Sequence, residues 1–120
     1  MKLAVSNIAW RPTERDEAYR LLRRHGIRGL EIAPKLFLPQ AQDAFAPTDE
    51  EVEIAMAAAT DAGLELVSMQ SLLFGAEGVA LFENAESREL LVEASIRAIR
   101  LAGRLSIPNL VFGSPRQRNI

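Results

Sequence analysis

Glu31 is the residue that most plainly asks for a chemical reason. It stands as the only acid in the run Ile27-Arg28-Gly29-Leu30-Glu31-Ile32-Ala33-Pro34. Read as a strand, that run places Leu30 and Ile32 on one face and Gly29, Glu31 and Ala33 on the other. The second face is narrow and carries its carboxylate toward the strand's C-terminal end, the end at which parallel α/β folds bind ligands. Burying a carboxylate is costly unless it is paired or hydrogen-bonded. Glu31 is therefore a candidate acceptor for a ligand hydroxyl or a candidate acid/base group. The alternative is a structural ion pair with Lys35 or with an arginine such as Arg116. A single acid does not complete acid/base chemistry at a stereocentre, which needs groups on both faces.

Gln70 falls at the matching position of a later strand, where its amide could serve a polar ligand or simply bond to neighbouring strands. Gly113-Ser114-Pro115-Arg116-Gln117-Arg118 is a second cluster. Its glycine permits close backbone approach, and an arginine fork holds phosphate or carboxylate. Ser114 and Arg116 are thus candidate ligand contacts, against the alternative of a solvated tail. Trp10 could wall a site from the loop after the first strand, or pack on that loop as a rim aromatic. His25, the only histidine, falls in the last turn of a helix, where positive charge is favoured, and is read as structural. No catalytic triad, glycine-rich phosphate loop or metal-spaced cluster is present in the sequence.

The elements that must position these residues repeat. Lys2 to Ile8 suits a buried first strand. Trp10-Arg11-Pro12 breaks it, Thr13 occupies an N-cap position with Asp16 three residues on, and Ala18, Leu21, Leu22 and His25 keep helical spacing up to Gly26. The Glu31 strand follows, then a long loop from Pro34 to Pro47 that is apolar in places. Thr48-Asp49-Glu50-Glu51 is a capping box opening a helix that ends at Gly63. Leu64 to Gln70 is the third strand, with Leu66, Ser68 and Gln70 expected on one face and Val67 and Met69 on the other. The longest helix is expected over about Ala85 to Leu105, with a stripe of Leu91, Ala94, Ala98, Leu101, Ala102 and Leu105. Pro108 precedes a fourth strand, Asn109 to Gly113.

Bulk composition excludes several classes. The 120 residues fit one domain, residues 1–120, with 48% hydrophobic and 25% charged residues and a net charge of −2. That charge gives no reason to expect nucleic acid, and the arginines at 20, 23, 24 and 28 read as a solvated helix face. The chain has no cysteine, which excludes disulfides and thiolate metal sites and fits a reducing compartment. No apolar run suits a signal peptide or a membrane span, so a cytoplasmic protein with no membrane partner is expected.

Alternating strands and helices predict a parallel sheet with right-handed crossovers. The recurrence of helix, glycine and strand at Gly26, Gly63 and Gly103 suits a (β/α)₈ barrel. The expected fold is α/β: a partial TIM barrel of four parallel strands and three outer helices, a half-barrel fragment. The end at Ile120, with no helix to cover the last strand, reads as a truncation. A doubly wound flavodoxin-like sheet would need a phosphate loop after the first strand, and Ser6 to Pro12 lacks the glycines for one.

Three segments carry a likeness to a known family: Lys2-Leu3-Ala4-Val5-Ser6-Asn7-Ile8-Ala9-Trp10, Gly29-Leu30-Glu31-Ile32-Ala33-Pro34 and Val111-Phe112-Gly113-Ser114-Pro115-Arg116-Gln117-Arg118. In their order and spacing they resemble the N-terminal half of the sugar phosphate isomerase/epimerase group of the xylose isomerase-like TIM barrels. The resemblance implies a sugar or polyol substrate, and isomerase or epimerase chemistry with a divalent metal (Mn, Mg, Zn or Co) in a complete barrel. In such an enzyme Glu31, the catalytic candidate, and Gln70 would orient hydroxyls, while Trp10, Gln70, Ser114 and Arg116 are the substrate-contact candidates that the residues themselves offer. The family's metal ligands generally come from strands in its second half, so no metal and no turnover are expected of this chain alone. Related endonuclease-type barrels carry zinc-binding histidines near the ends of the third and fourth strands, where this chain has Gln70 and Gly113-Ser114. A competing class is a non-catalytic module that self-associates, or pairs with the missing C-terminal half, through bare strand edges.

Overall fold

Helix starts in this chain are set by local hydrogen bonding. In the computed structural model, which describes residues 2–120, Thr48 and Glu51 form a complete capping box, each side chain accepting the other's backbone N–H. The helix it opens, α3 (Asp49–Asp61), runs to Gly63, whose φ of 74° supplies the left-handed turn that only glycine takes without strain. Helix α1 (Arg15–Arg24) begins later than the Thr13 cap implies. Pro12–Glu14 form a 3₁₀ turn first, and Glu14 occupies the N-cap without a side-chain bond. Helix α4 (Ala85–Arg104) is capped by Asn84, which accepts from Ser87 N at 2.8 Å. Gly103 lies inside its last turn, and the left-handed residue beyond it is Ser106.

Three strands make one parallel sheet in the order β1 (Ala4–Ser6), β2 (Gly29–Ile32), β3 (Glu65–Met69). Ala4 and Ser6 pair with Gly29 and Glu31. The strands approach closely at Gly29, where a Cβ would stand 2.7 Å from the Ala4 Cβ and 2.8 Å from the Leu3 carbonyl oxygen. Between β2 and β3 the register slips: Leu30 pairs with Leu66 but Glu31 pairs with Ser68. Val67 is thus an extra residue, a bulge. The bulge corrects the expected alternation of the third strand. Leu66 and Met69 share the face of Leu30 and Ile32, while Ser68 shares the face of Glu31.

The first of these faces is the core. Leu30, Ile32, Leu66 and Met69 join Tyr19 and Leu22 of α1, Ala55 and Ala59 of α3, and Ala98, Leu101 and Ala102 of α4 in one buried cluster. Leu30, Ile32 and Met69 are wholly inaccessible to water. The helices therefore feed one face of the sheet. The small and polar residues of the opposite face (Ala4, Ser6, Gly29, Glu31, Ser68) contribute nothing to that cluster.

The expected half-barrel of four strands and three outer helices is not what forms. Among the described residues there are three strands and four helices, the extra one being the short α2 (Pro34–Phe37) in the segment read as a loop. The expected fourth strand, Asn109 to Gly113, is reduced to one bridge between Met69 and Leu110. Met69 N donates to Asn109 O at 2.9 Å, and Val111 N donates to Met69 O at 2.8 Å. Backwards, the chain is still tied to the end of α4, Ile107 N donating to Ala102 O at 2.9 Å, and Asn109 meets β3 through its side chain, Nδ2 donating to Ser68 Oγ at 3.0 Å. Forwards, Ser114 takes a φ of 38° and the chain turns, with Gln117 N donating to Ser114 O. Among the described residues no helix is long and apolar enough to cross a membrane.

Candidate functional site

Three side chains meet at the C-terminal end of the sheet, one from each strand or the residue following it. Gln70 Nε2 donates to Ser6 Oγ at 2.9 Å and to Glu31 Oε1 at 2.5 Å. The backbone makes this meeting possible. Ser6 and Glu31 are register partners, Glu31 and Ser68 are partners across the bulge, and Gln70 N donates to Ile32 O at 2.9 Å. Without the bulge at Val67, the side chains of Ser68 and Gln70 would fall on the helix-covered face.

All three side chains are half-buried. Gln70 spends its NH₂ group on Ser6 and Glu31, which leaves Gln70 Oε1 and Glu31 Oε2 with no hydrogen bond among the described residues. The arrangement therefore offers two acceptors and a rotatable hydroxyl, Ser6 O–H, within one small patch. Glu31 pairs with an amide, and neither Lys35 nor Arg116 forms an ion pair with it. The patch is stiffened from below by Asn7, which is 3% exposed. Its Oδ1 accepts from Ala33 N at 2.8 Å and its Nδ2 donates to Ala33 O at 3.3 Å, tying the end of β1 to the end of β2.

Gln70 also opens onto a cleft of about 450 Å³ that includes Ser71, Phe74, Ser114, Arg116 and Gln117. Arg116 is the one charged side chain on its wall. Ser71 and Ser114 both hold positive φ, 58° and 38°, a conformation that costs a non-glycine residue about 1 kcal/mol or more and that gathers at ligand sites. The segment is docked onto the loop ahead of α4 by Leu81 N, which donates to Gln117 O at 2.7 Å, and its turn is closed by Arg118 Nε donating to Gly113 O at 2.7 Å.

The sequence-predicted residues thus divide. Glu31 and Gln70 touch, and Gln70, Ser114 and Arg116 line one cleft. Trp10 lies elsewhere, edge-on to Tyr19 with ring centroids 6.2 Å apart, half-buried against the core. Burial pushes the Tyr19 phenol above its usual pKa, opposed by Arg15 and reinforced by Asp16. His25 caps α1 and is exposed. Ser6 is the site residue not singled out as a ligand contact, although a polar residue at the C-terminal end of the first apolar run was the available signal.

A divalent cation takes several oxygen or nitrogen ligands. The trio supplies one carboxylate, and among the described residues no group of three His, Cys, Asp or Glu side chains comes together. These residues do not by themselves fit a metal. No family model matches this sequence, and no curated protein does.

Proposed function

We propose that the C-terminal end of this sheet binds a sugar or polyol, as part of a protein of the sugar isomerase/epimerase kind. The observation that carries the reading is the Ser6–Gln70–Glu31 trio. A polyol presents several O–H groups at fixed spacing, each both donor and acceptor. The trio answers with Glu31 Oε2 and Gln70 Oε1 as acceptors and the Ser6 hydroxyl as a donor, its oxygen already accepting from Gln70 Nε2 and Ile8 N, on a face free of bulky side chains. A hydrogen bond from a substrate hydroxyl to the Glu31 carboxylate is charge-assisted and correspondingly strong. The likeness of the Gly29–Pro34 and Val111–Arg118 segments to sugar isomerases supports the same reading from the sequence side. Arg116, alone among neutral residues in the adjoining cleft, suits an anionic substituent such as a phosphate or carboxylate on that substrate.

The role assigned to Glu31 is orientation of a hydroxyl, or proton transfer on one side of a carbon. Transfer on the other side calls for a second group that the trio does not contain, so binding is the property to measure. Amide chemical shifts of the purified chain, titrated with a panel of aldoses, ketoses, polyols and their phosphates, are expected to move at Ser6, Glu31 and Gln70. Glu31→Ala is expected to weaken that binding about tenfold or more, from the loss of a hydrogen bond to a charged acceptor. A panel that leaves the three strand ends unmoved would overturn the proposal.

A further inference from the structure

A second cavity, of about 340 Å³, shares Ser71 and Phe74 with the cleft onto which Gln70 opens. Ile8, Ala33, Pro34, Phe45, Ser71 and Phe74 form most of its wall, which is almost wholly apolar. Its relation to the trio follows from the chain. Ile8 comes two residues after Ser6, Ala33 two after Glu31, and Ser71 one after Gln70. The segments that follow the three polar residues, a 3₁₀ turn at Asn7–Ala9 among them, therefore supply parts of the apolar wall. Asn7, bonded through both side-chain atoms to Ala33, fixes the first two of these segments to each other.

Two of the walls are unusually bare. Ile8 is 57% exposed and Phe74 is 62% exposed. The Lys35 ammonium stands over Phe74 at 5.9 Å from the ring centroid, at the outer edge of cation–π range. Ser71, at the junction of the polar and apolar parts, keeps the left-handed backbone noted above. A polar patch with unspent acceptors, contiguous with an apolar cavity large enough for an aromatic ring, is built like a site for a ligand with two unlike ends.

We infer that the ligand is amphipathic: a polyol or sugar ring held by Ser6, Glu31 and Gln70, joined covalently to an aryl or alkyl group that fills the cavity between Ile8, Phe45 and Phe74. The inference rests on the polyol reading of the trio and adds the second half of the molecule. Moving a phenyl-sized group from water into an apolar wall favours binding by about ten- to a hundredfold.

The experiment compares methyl and phenyl glycosides of the same sugars, titrated calorimetrically into the full chain, with fluorobenzene followed by ¹⁹F line broadening as a probe of the cavity alone. Phenyl glycosides are expected to bind at least tenfold more tightly than methyl glycosides. Ile8→Ser should bring the phenyl compound down to the level of the methyl one, and Ile8→Val should restore most of the difference. Equal affinity for the two glycosides would overturn the amphipathic ligand and leave the polyol reading standing. Broadening of fluorobenzene with no response to any glycoside would overturn both, because the cavity would then lack its polar half. No response to any of the three probes would also overturn both.

Discussion

The two faces of one small sheet have opposite chemistry. Leu30 and Ile32 point to a face on which α1, α3 and α4 converge, and both are completely buried. Glu31, between them in sequence, points to a face where Gln70 and Ser6 are its hydrogen-bond partners and no helix contributes to a core. In most parallel sheets both faces are covered and the strands are apolar throughout. Here stability is invested on one side only. The other side is free to carry groups that would be costly in a core, and those groups gather where the strands end. The fold holds the site by its back.

That division makes its strongest prediction on the covered side. Ile32→Ala removes a fully buried side chain from the middle of the three-helix cluster. It is expected to cost about 2–5 kcal/mol, because the loss of buried methyl groups is compounded by the cavity left behind. Urea unfolding followed by circular dichroism measures it as a lowered midpoint. A cost below about 1 kcal/mol would mean that the helix-covered face is not the one holding the chain together.

The covered side was also the more legible one. The apolar pairing of Leu30 with Ile32, the Thr48–Glu51 capping box and the α4 stripe of Leu91, Ala98, Leu101 and Leu105 follow from spacing alone, and each is found in place. The bare side was legible only in part. Glu31 and Gln70 were identifiable as polar residues at strand ends, but strict alternation put Leu66 with Gln70. A one-residue bulge leaves no mark in an apolar run such as Leu64 to Met69, since either register buries leucine, valine or methionine. The fourth strand failed for a different reason. Leu110, Val111 and Phe112 have strand composition, yet a strand needs a continuous ladder, and with left-handed Ser71 and Ser114 beyond it this one is left with a single bridge. Trp10 could not be placed because its partner, Tyr19, sits on a different element, and such a contact is a property of the folded chain.

A second test probes the boundary between the faces. Gly29 lies on the bare side, and its missing side chain is what lets β1 approach β2. The added methyl of Gly29→Ala would meet the Ala4 Cβ at 2.7 Å and the Leu3 carbonyl oxygen at 2.8 Å. The carbonyl belongs to the backbone and accepts from Gly29 N at 3.1 Å, so it cannot swing away as a flexible side chain would. Forcing the strands apart is expected to cost about 1–3 kcal/mol. It should also separate Ser6 from Gln70, so the Ser6 and Gln70 amide resonances should shift together with the loss of stability. Wild-type stability in this variant would show that the close approach is not needed to hold the trio.

The smallest expected effect is the one that decides whether the two faces are as distinct as they look. Glu31→Gln keeps the length and shape of the side chain and its Oε1 acceptor, so the bond from Gln70 can persist. It removes the charge from a half-buried position that forms no ion pair among the described residues. Losing an unneutralised charge relieves some desolvation, while replacing a charged acceptor with a neutral one weakens one hydrogen bond. The two changes oppose each other, and the net effect on folding is expected to stay within about 0.5 kcal/mol. A neighbouring residue on the same strand would thus tolerate substitution at a small fraction of the cost of Ile32→Ala, in the same urea experiment. Equal costs at 31 and 32 would mean that Glu31 is a structural tie and that the polar face is a second core in disguise. A stability near wild type, with polyol binding weakened, would place the value of the carboxylate outside the fold, since a side chain that the folded state does not need is retained for what it contacts.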